Sequence, residues 1–134
     1  MIILDTNVLS ELMVEWQTER RVLAWLRSLD EQPVTTAFNR AELLAGVALL
    51  PDGRKRQGLA DAVNRLLAEL TVSLPFTEDC ASAYAEIVAI RTRVGRPIGT
   101  MDALIASVAL VNDAAVATRD VAGFAGLGLT VLHP

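Results

Sequence analysis

The chain has 134 residues, 52% of them hydrophobic and 21% charged, which is typical of one globular domain and unlike an intrinsically disordered chain. One cysteine and one histidine argue against an internal disulfide or a zinc site within a single chain. The 12 basic and 16 acidic residues give a net charge of −4, which disfavours broad binding to nucleic-acid phosphates. We therefore expect a single domain over residues 1–134.

The first residues give no sign of export. The opening apolar run reaches a carboxylate at Asp5, whereas a signal peptide needs a basic region and a longer apolar run. The longest apolar stretches, such as 103–111, fall well short of the roughly 20 residues that span a membrane. We expect a cytoplasmic protein with no membrane contact.

Apolar runs and helical patterns alternate along the chain. Residues 1–4 are continuously apolar, which predicts a central strand buried on both faces, and Asp5 or Thr6 can cap a helix through Leu12. Strands that alternate with helices predict an α/β fold with a parallel sheet and helices on both faces. The other predicted elements, in chain order, are a helix over 17–29, a strand over 33–37, helices over 40–50 and 54–70, a strand over 72–74, helices over 77–94 and 101–111, and strands over 114–117 and 130–132.

Four acidic residues fall beyond the carboxyl ends of these strands, where parallel sheets gather functional groups. Asp5 directly follows the first strand, and Asp120 follows the strand over 114–117. Glu42 lies on the helix after the second strand, and Asp102 lies in the first turn of its helix. Acids that are distant in sequence are thus predicted to meet in one cleft.

Each acid also has a purely structural explanation. Asp5 is suited to cap a helix, Asp120 to form a turn, and Asp102 to lie at a positive helix end, where a carboxylate gains roughly 0.3 to 1 kcal/mol. Glu42 fits a capping box in which its side chain returns to the Asn39 amide. The functional hypothesis therefore rests on the convergence of all four acids.

Such a cluster needs a compensating charge or proton. Two carboxylates ~4 Å apart repel by about 4 kcal/mol at an effective dielectric constant of ~20. Protonation of one acid is one solution, and a hard cation such as Mg²⁺ or Mn²⁺ bound by oxygen ligands is the other. One or two such ions suit the hydrolysis of a phosphodiester. Without the four acids the chain has 12 acidic and 12 basic residues, so they account for its whole negative charge.

Four blocks of sequence carry a resemblance that covers essentially the whole chain. They are similar, in order and spacing, to the PIN-domain family, and most of all to the VapC toxins of bacterial toxin-antitoxin systems in their FitB-like branch. The blocks are Leu4-Asp5-Thr6-Asn7, Arg40-Ala41-Glu42-Leu43, Gly95-Arg96-Pro97-Ile98 with Met101-Asp102-Ala103, and Ala117-Thr118-Arg119-Asp120.

The resemblance implies a three-layer α/β/α sandwich with a central, mainly parallel sheet. It also implies a Mg²⁺- or Mn²⁺-dependent endoribonuclease that forms a homodimer. A VapB- or FitA-like antitoxin would block the site, and contact with DNA would be indirect, through that antitoxin.

Matched block by block, the resemblance puts the catalytic and metal-binding acids at the four positions found above. The supporting side chains are expected at Thr6, Asn7 and Thr118. In relatives the last block often has Asn at the position of Asp120 and an acid three residues later, where this chain has Gly123. We keep Asp120 as the fourth acid.

Several arginines are candidates for contact with the substrate. Arg40 and Arg119 flank predicted active-site acids, and Arg96 belongs to a group with Arg91 and Arg93 at a helix end that leads to the third acid. A second basic group covers residues 54–56. Either group can bind phosphates, or it can complement a helix end or solvate a loop. Aromatic residues, at 4% of the chain, are too few for a base-stacking platform.

Two alternatives compete with the nuclease hypothesis. A signalling receiver domain also holds Mg²⁺ with acids at strand ends, but it needs a lysine near the last strand, and Lys55 is the only lysine here. The other alternative is a PIN-like domain that binds a partner without catalysis. The presence of all four acids argues against this silent module.

Overall fold

The computed structural model describes residues 1–13 and 24–134. The strands are β1 (Ile2–Leu4), β2 (Pro33–Thr36), β3 (Ser73–Leu74), β4 (Ala115–Ala117) and β5 (Val131–Leu132). The helices are α1 (Thr6–Met13), α2 (Ala37–Ala48), α3 (Arg54–Glu69), α4 (Glu78–Arg93) and α5 (Thr100–Val111), with residues 24–28 also helical and a 3-10 turn at Ala122–Phe124. The helix predicted over 17–29 lies partly outside the described residues. No helix within the described ranges combines the length and apolarity needed to cross a bilayer.

All five strands form one parallel sheet in the order β3-β2-β1-β4-β5. In the central strand β1, Ile3 lies opposite Val34 of β2 and Val116 of β4. The apolar run at the start of the chain suits this position, because a central parallel strand is covered on both faces. The predicted α/β fold with a parallel central sheet is confirmed.

Alternation along the strands creates two separate cores. Ile3, Val34 and Val116 point to one face, where they pack with apolar residues of α4 and α5. Ile2 and Leu4 point to the other face, where they pack with residues of α1, α2 and α3. The molecule therefore has three layers, with the sheet between two groups of helices.

The start of α2 corrects one sequence prediction. The helix was expected from about residue 40, with Asn39 as the cap, but it begins at Ala37. Thr36, the last residue of β2, is the N-cap, and its hydroxyl accepts from the Asn39 amide at 3.2 Å. The strand therefore runs directly into the helix, which brings residues of the second turn close to the end of the sheet.

The connections diverge between β1 and β4. The chain passes from β1 towards β2 on one side and from β4 towards β5 on the other. Neighbouring strands with such diverging connections leave a crevice at their carboxyl ends, where open α/β sheets bind ligands. This strand order also differs from the 2-1-3-4-5 order of receiver domains, so that alternative is wrong.

Candidate active site

The four predicted acids come together at the carboxyl edge of the sheet. Asp5 directly follows β1 and is only 5% exposed. Asp102 in the first turn of α5 and Glu42 in the second turn of α2 are half-buried. Asp120 follows β4 by three residues and is exposed. The sheet and two helix starts thus supply carboxylates to one place.

The four carboxylates lie close enough for their charges to influence one another. Burial raises the pKa of Asp102, and the charges of Asp5, Asp120 and Glu42 raise it further. Burial raises the pKa of Glu42, with an added contribution from Asp5. The charges of the three other acids therefore all reach Asp102.

Two hydrogen bonds orient the buried Asp5 carboxylate. Its Oδ1 accepts from the Thr6 amide at 2.9 Å, and its Oδ2 accepts from the Thr118 hydroxyl at 2.7 Å. Burial is the largest influence and raises the pKa of Asp5, whereas these two bonds lower it and the charge of Asp120 raises it. The net direction is upwards, so the folded protein disfavours the charged form of Asp5.

Thr118 connects three parts of the site. It is fully buried, and its hydroxyl oxygen accepts from Asn7 Nδ2 at 3.3 Å and from the Asp120 amide at 3.0 Å. Asn7 Oδ1 accepts in turn from the Arg119 amide at 3.2 Å. These bonds tie the start of α1 to the segment after β4, on either side of the crevice.

A second chain of hydrogen bonds runs from β2 to Glu42. The Thr36 hydroxyl donates to Asn39 Oδ1 at 2.7 Å, and Asn39 Nδ2 donates to the Thr6 hydroxyl at 3.2 Å. The Thr6 hydroxyl then donates to Glu42 Oε1 at 2.9 Å. The capping-box explanation is wrong, because the Glu42 side chain bonds to α1 and not to the Asn39 amide.

Sequence reasoning missed the buried pair Thr36 and Asn39. A signal for Thr36 was present, since it ends β2 just as Asp5 follows β1 at the same edge of the sheet. The role of Asn39 depends on Thr6, 33 residues away, so local sequence does not reveal it.

Asp120 combines a turn role with a place in the cluster. Its Oδ1 accepts from the Gly123 amide at 3.0 Å, as the turn explanation predicted. Its charge also raises the pKa of both Asp5 and Asp102. The structural and the functional explanation are therefore compatible at this position.

A model of the PIN domain matches residues 2–126. This chain belongs to the PIN-domain family. Toxin FitB of Neisseria gonorrhoeae is 39% identical over 137 residues, which cover 100% of this chain and 98% of FitB. The VapC ribonuclease Y4jK of Sinorhizobium fredii is 39% identical over 145 residues, which cover 100% of this chain and 97% of that protein. A solved structure of FitAB bound to a DNA fragment matches with a TM-score of 0.85 and 37% identity, over 98% of this chain and 94% of that one.

The family match confirms the resemblance seen in the four sequence blocks. Those blocks supply the edge of the sheet in this PIN domain, from the end of β1 to the segment after β4. The match also removes the receiver domain as an alternative on grounds independent of strand order.

Arg91 has a different place from the one that its position near a helix end suggested. It is only 7% exposed, and it donates from Nε to the Arg96 carbonyl and from Nη1 to the Gly123 carbonyl, both at 2.7 Å. Of the two roles left open for this group, the structural one therefore applies to Arg91. A signal was available, because Cys80, Ile87 and Arg91 recur at helical spacing on the buried face of α4.

The other candidate arginines are more accessible. Arg40, Arg93 and Arg96 are exposed, while Arg119 is half-buried and donates from Nη1 to the Pro134 carbonyl. In the second basic group, Arg56 pairs with Asp52 at 2.5 Å on the surface, which fits the structural explanation for that group. Arg40 and Arg96 thus have the exposure that contact with a substrate requires.

The donor set of this PIN domain fits a hard divalent cation. The four acids offer only oxygen ligands, which Mg²⁺ and Mn²⁺ prefer, and a cation would relieve the repulsion among them. Across residues 1–13 and 24–134, no three acidic, cysteine or histidine side chains converge into a ready-made metal cage. That geometry still suits Mg²⁺, which commonly uses one or two carboxylates and keeps several waters.

Proposed function

We propose that this PIN domain is the toxin of a type II toxin-antitoxin system and acts in the cytoplasm as a Mg²⁺- or Mn²⁺-dependent endoribonuclease. The observation that carries the proposal is the placement of Asp5, Glu42, Asp102 and Asp120 together at the carboxyl edge of the sheet. The names of two relatives, VapC ribonuclease and Toxin FitB, support the activity and the biological role.

Each acid has a distinct task in this proposal. Asp5 and Asp102 hold the ion. Asp5 is buried, and two hydrogen bonds orient its carboxylate. Asp102 lies where the charges of the other three acids raise its pKa, and a cation would offset those charges. Glu42 and Asp120 complete the set from either side. The supporting side chains keep the carboxylates pointing into the crevice, and they are Thr6, Asn7 and Thr118.

The reaction adds water across a P–O bond of RNA. The water oxygen bonds to phosphorus, the bond to the leaving sugar oxygen breaks, and that oxygen takes up a proton. A bound divalent ion contributes charge neutralisation, activation of the water and stabilisation of the leaving oxygen. The protein contributes the fixed directions of its carboxylates, which requires no rearrangement when charge develops.

Substrate contact is assigned to Arg40, Arg96 and Arg119. All three lie in the sequence blocks that supply the acids, and a guanidinium can bind a phosphate with two parallel hydrogen bonds. The net charge of −4 favours a few such local contacts over a broad basic surface. RNA is therefore bound at selected phosphates near the cut.

The partners follow from the same family placement. We infer a homodimer and a VapB- or FitA-like antitoxin that covers the acidic site. The similarity to a structure of FitAB on DNA supports such a partner, with DNA reached only through the antitoxin. The acidic charge of this chain agrees with that division, because DNA affinity comes mainly from basic phosphate contacts.

The decisive experiment is cleavage of structured RNA by the purified protein. We expect cleavage with Mg²⁺ or Mn²⁺, no cleavage with a chelator, and loss of activity in Asp102→Asn. Asp61→Asn is a matched control, because Asp61 is exposed on α3 and accepts a local hydrogen bond from Gln57. Equal cleavage by the wild type and Asp102→Asn would refute the mechanism.

Calorimetry distinguishes the nuclease from a silent binding module. The nuclease requires Mn²⁺ to bind the wild type and to bind Asp5→Asn more weakly. A protein that binds its partner but neither binds Mn²⁺ nor cleaves RNA would support the silent module instead.

A further inference from the structure

Gly123 differs from every other glycine of the chain in what surrounds it. A Cβ added at Gly123 would lie 2.4 Å from Asp120 Oδ2 and 2.9 Å from Asp120 Cγ. At the other seven glycines, no atom of the residues that the structure describes lies within 4 Å of that position. The space that a side chain at position 123 would need is therefore filled by the Asp120 carboxylate.

Backbone geometry does not explain the glycine. The residues with positive φ include four glycines of the chain, and Gly123 is not one of them. An L-residue can adopt the backbone conformation at this position without the strain of the left-handed region. The requirement at position 123 is thus one of space, set by a single neighbouring side chain.

The backbone around Gly123 is held in place on two sides. Its amide donates to Asp120 Oδ1 at 3.0 Å, and its carbonyl accepts from the buried Arg91 at 2.7 Å. The next residue, Phe124, is 1% exposed in the core. The main chain at position 123 is therefore more constrained than the exposed carboxylate of Asp120, so we expect a side chain there to displace that carboxylate.

We propose that Gly123 is a positioning residue, whose missing side chain allows the Asp120 carboxylate to lie across the turn and face Asp5 and Asp102. The carboxylate and any side chain at position 123 compete for one space. The pair Asp120 and Gly123 therefore acts as a unit that gives the site its fourth acid. This inference rests on the proposed metal-dependent function for its consequence in metal binding, but its steric part does not.

A double-mutant cycle tests the pair with two measurements. The variants are Gly123→Ala, Asp120→Ala and the double variant, and both the urea midpoint without metal and the affinity for Mn²⁺ by calorimetry are measured for each. In the presence of Asp120, Gly123→Ala should lower the urea midpoint and weaken Mn²⁺ binding about tenfold, a typical effect of disturbing a supporting contact. In the Asp120→Ala background it should leave Mn²⁺ affinity unchanged and should not lower the urea midpoint, because the space is then free and alanine only restricts the unfolded chain. Gly58→Ala, at an exposed and uncrowded glycine of α3, is the control and should leave Mn²⁺ affinity unchanged.

The two measurements separate failure of this inference from failure of the proposed function. If Gly123→Ala has the same effect on the urea midpoint in both backgrounds, the steric coupling is absent and the inference is overturned. If that coupling is present and the wild type binds Mn²⁺, but Gly123→Ala leaves the Mn²⁺ affinity intact, the positioning role is overturned while the metal site stands. If the wild type does not bind Mn²⁺, the proposed function fails together with the positioning role, and the midpoints still report whether the two residues compete for space.

Discussion

The hydroxyl of Thr118 donates a 2.7 Å hydrogen bond to Oδ2 of Asp5, which joins the ends of the neighbouring strands β4 and β1. The Asp5 amide donates to the Ala117 carbonyl at 2.8 Å beside it, so the main chain of Asp5 is held as well as its carboxylate. Both residues are buried, which makes this bond a large influence on the direction and charge of the carboxylate.

Replacing Thr118 with valine should weaken both the fold and the metal site. Valine has a similar shape but no hydroxyl, so Asp5 loses a donor, and Asn7 and the Asp120 amide lose their acceptor. We expect the free energy of unfolding to fall by about 1–3 kcal/mol and Mn²⁺ to bind about 10–100-fold more weakly. Urea denaturation and calorimetry measure the two effects.

The matched control for that variant is Thr130→Val. Thr130 is exposed just before β5, at the opposite edge of the sheet, and should affect Mn²⁺ binding little. Equal Mn²⁺ affinity in Thr118→Val and the wild type would show that the hydroxyl does not support the site.

Much of this site could be predicted because its acids follow directly from the order of elements. The apolar run of residues 1–4 identifies a central strand, and Asp5 directly after it must then lie at the carboxyl edge. The start of α5 likewise fixes the position of Asp102. A residue next to the end of a strand or helix lies wherever that strand or helix ends. The positions of Asp5 and Asp102 could therefore be predicted without knowing any tertiary contact.

The rest depended on contacts between distant segments. The early start of α2 depends on its N-cap, Thr36. Thr36 is linked to the site by hydrogen bonds through Asn39 to Thr6, and the spacing of these residues in the sequence does not reveal those bonds. Arg91 lies on the buried face of α4, but its partners are carbonyls of two separate loops. Such polar contacts are decided by the folded geometry, whereas the apolar pattern decides only which face is buried.

Arg91→Met should destabilise the protein more than the same change at a neighbouring surface arginine. The buried guanidinium donates to the carbonyls of Arg96 and Gly123, and methionine leaves both without that donor. We expect a loss of about 3 kcal/mol in the free energy of unfolding. Arg91→Lys should recover only part of it, because one ammonium group cannot match the forked contacts of the guanidinium.

The control for Arg91 is Arg93→Met, an exposed position on the same helix. Its free energy of unfolding should stay within about 0.5 kcal/mol of the wild-type value. If both methionine variants unfold at the same urea concentration, the contacts of Arg91 do not stabilise the two loops.

Stability without metal should depend on pH through Asp102. Its pKa is raised in the folded protein, so the protonated form of Asp102 contributes stability at low pH, and that stability is lost as the pH rises through the raised value. Asp102→Asn should therefore be more stable than the wild type at pH 7 when metal is absent. The wild type should regain the difference as the pH falls from the raised folded value towards the ordinary aspartate value of 3.8.

Urea denaturation across that pH range, in the presence of a chelator, provides the test. Asp61→Asn, which removes an exposed carboxylate on α3, is the control for the loss of a surface charge. If the curve for Asp102→Asn runs parallel to the wild-type curve, the charge of Asp102 does not destabilise the folded state.

Divalent metal should reverse this pH dependence. An ion that binds only the folded protein stabilises it by about 2.7 kcal/mol at a hundred times its dissociation constant. The ion needs charged carboxylates, so its stabilising effect should be largest near neutral pH and should shrink as Asp5, Glu42 and Asp102 take up protons. Melting temperatures with Mg²⁺ and with a chelator, compared at several pH values, measure it. Sodium chloride at equal ionic strength should reproduce only the small part of the rise in melting temperature that comes from charge screening. If it reproduces the whole shift, or if Asp102→Asn responds to Mg²⁺ as strongly as the wild type, the carboxylate cluster does not hold the ion.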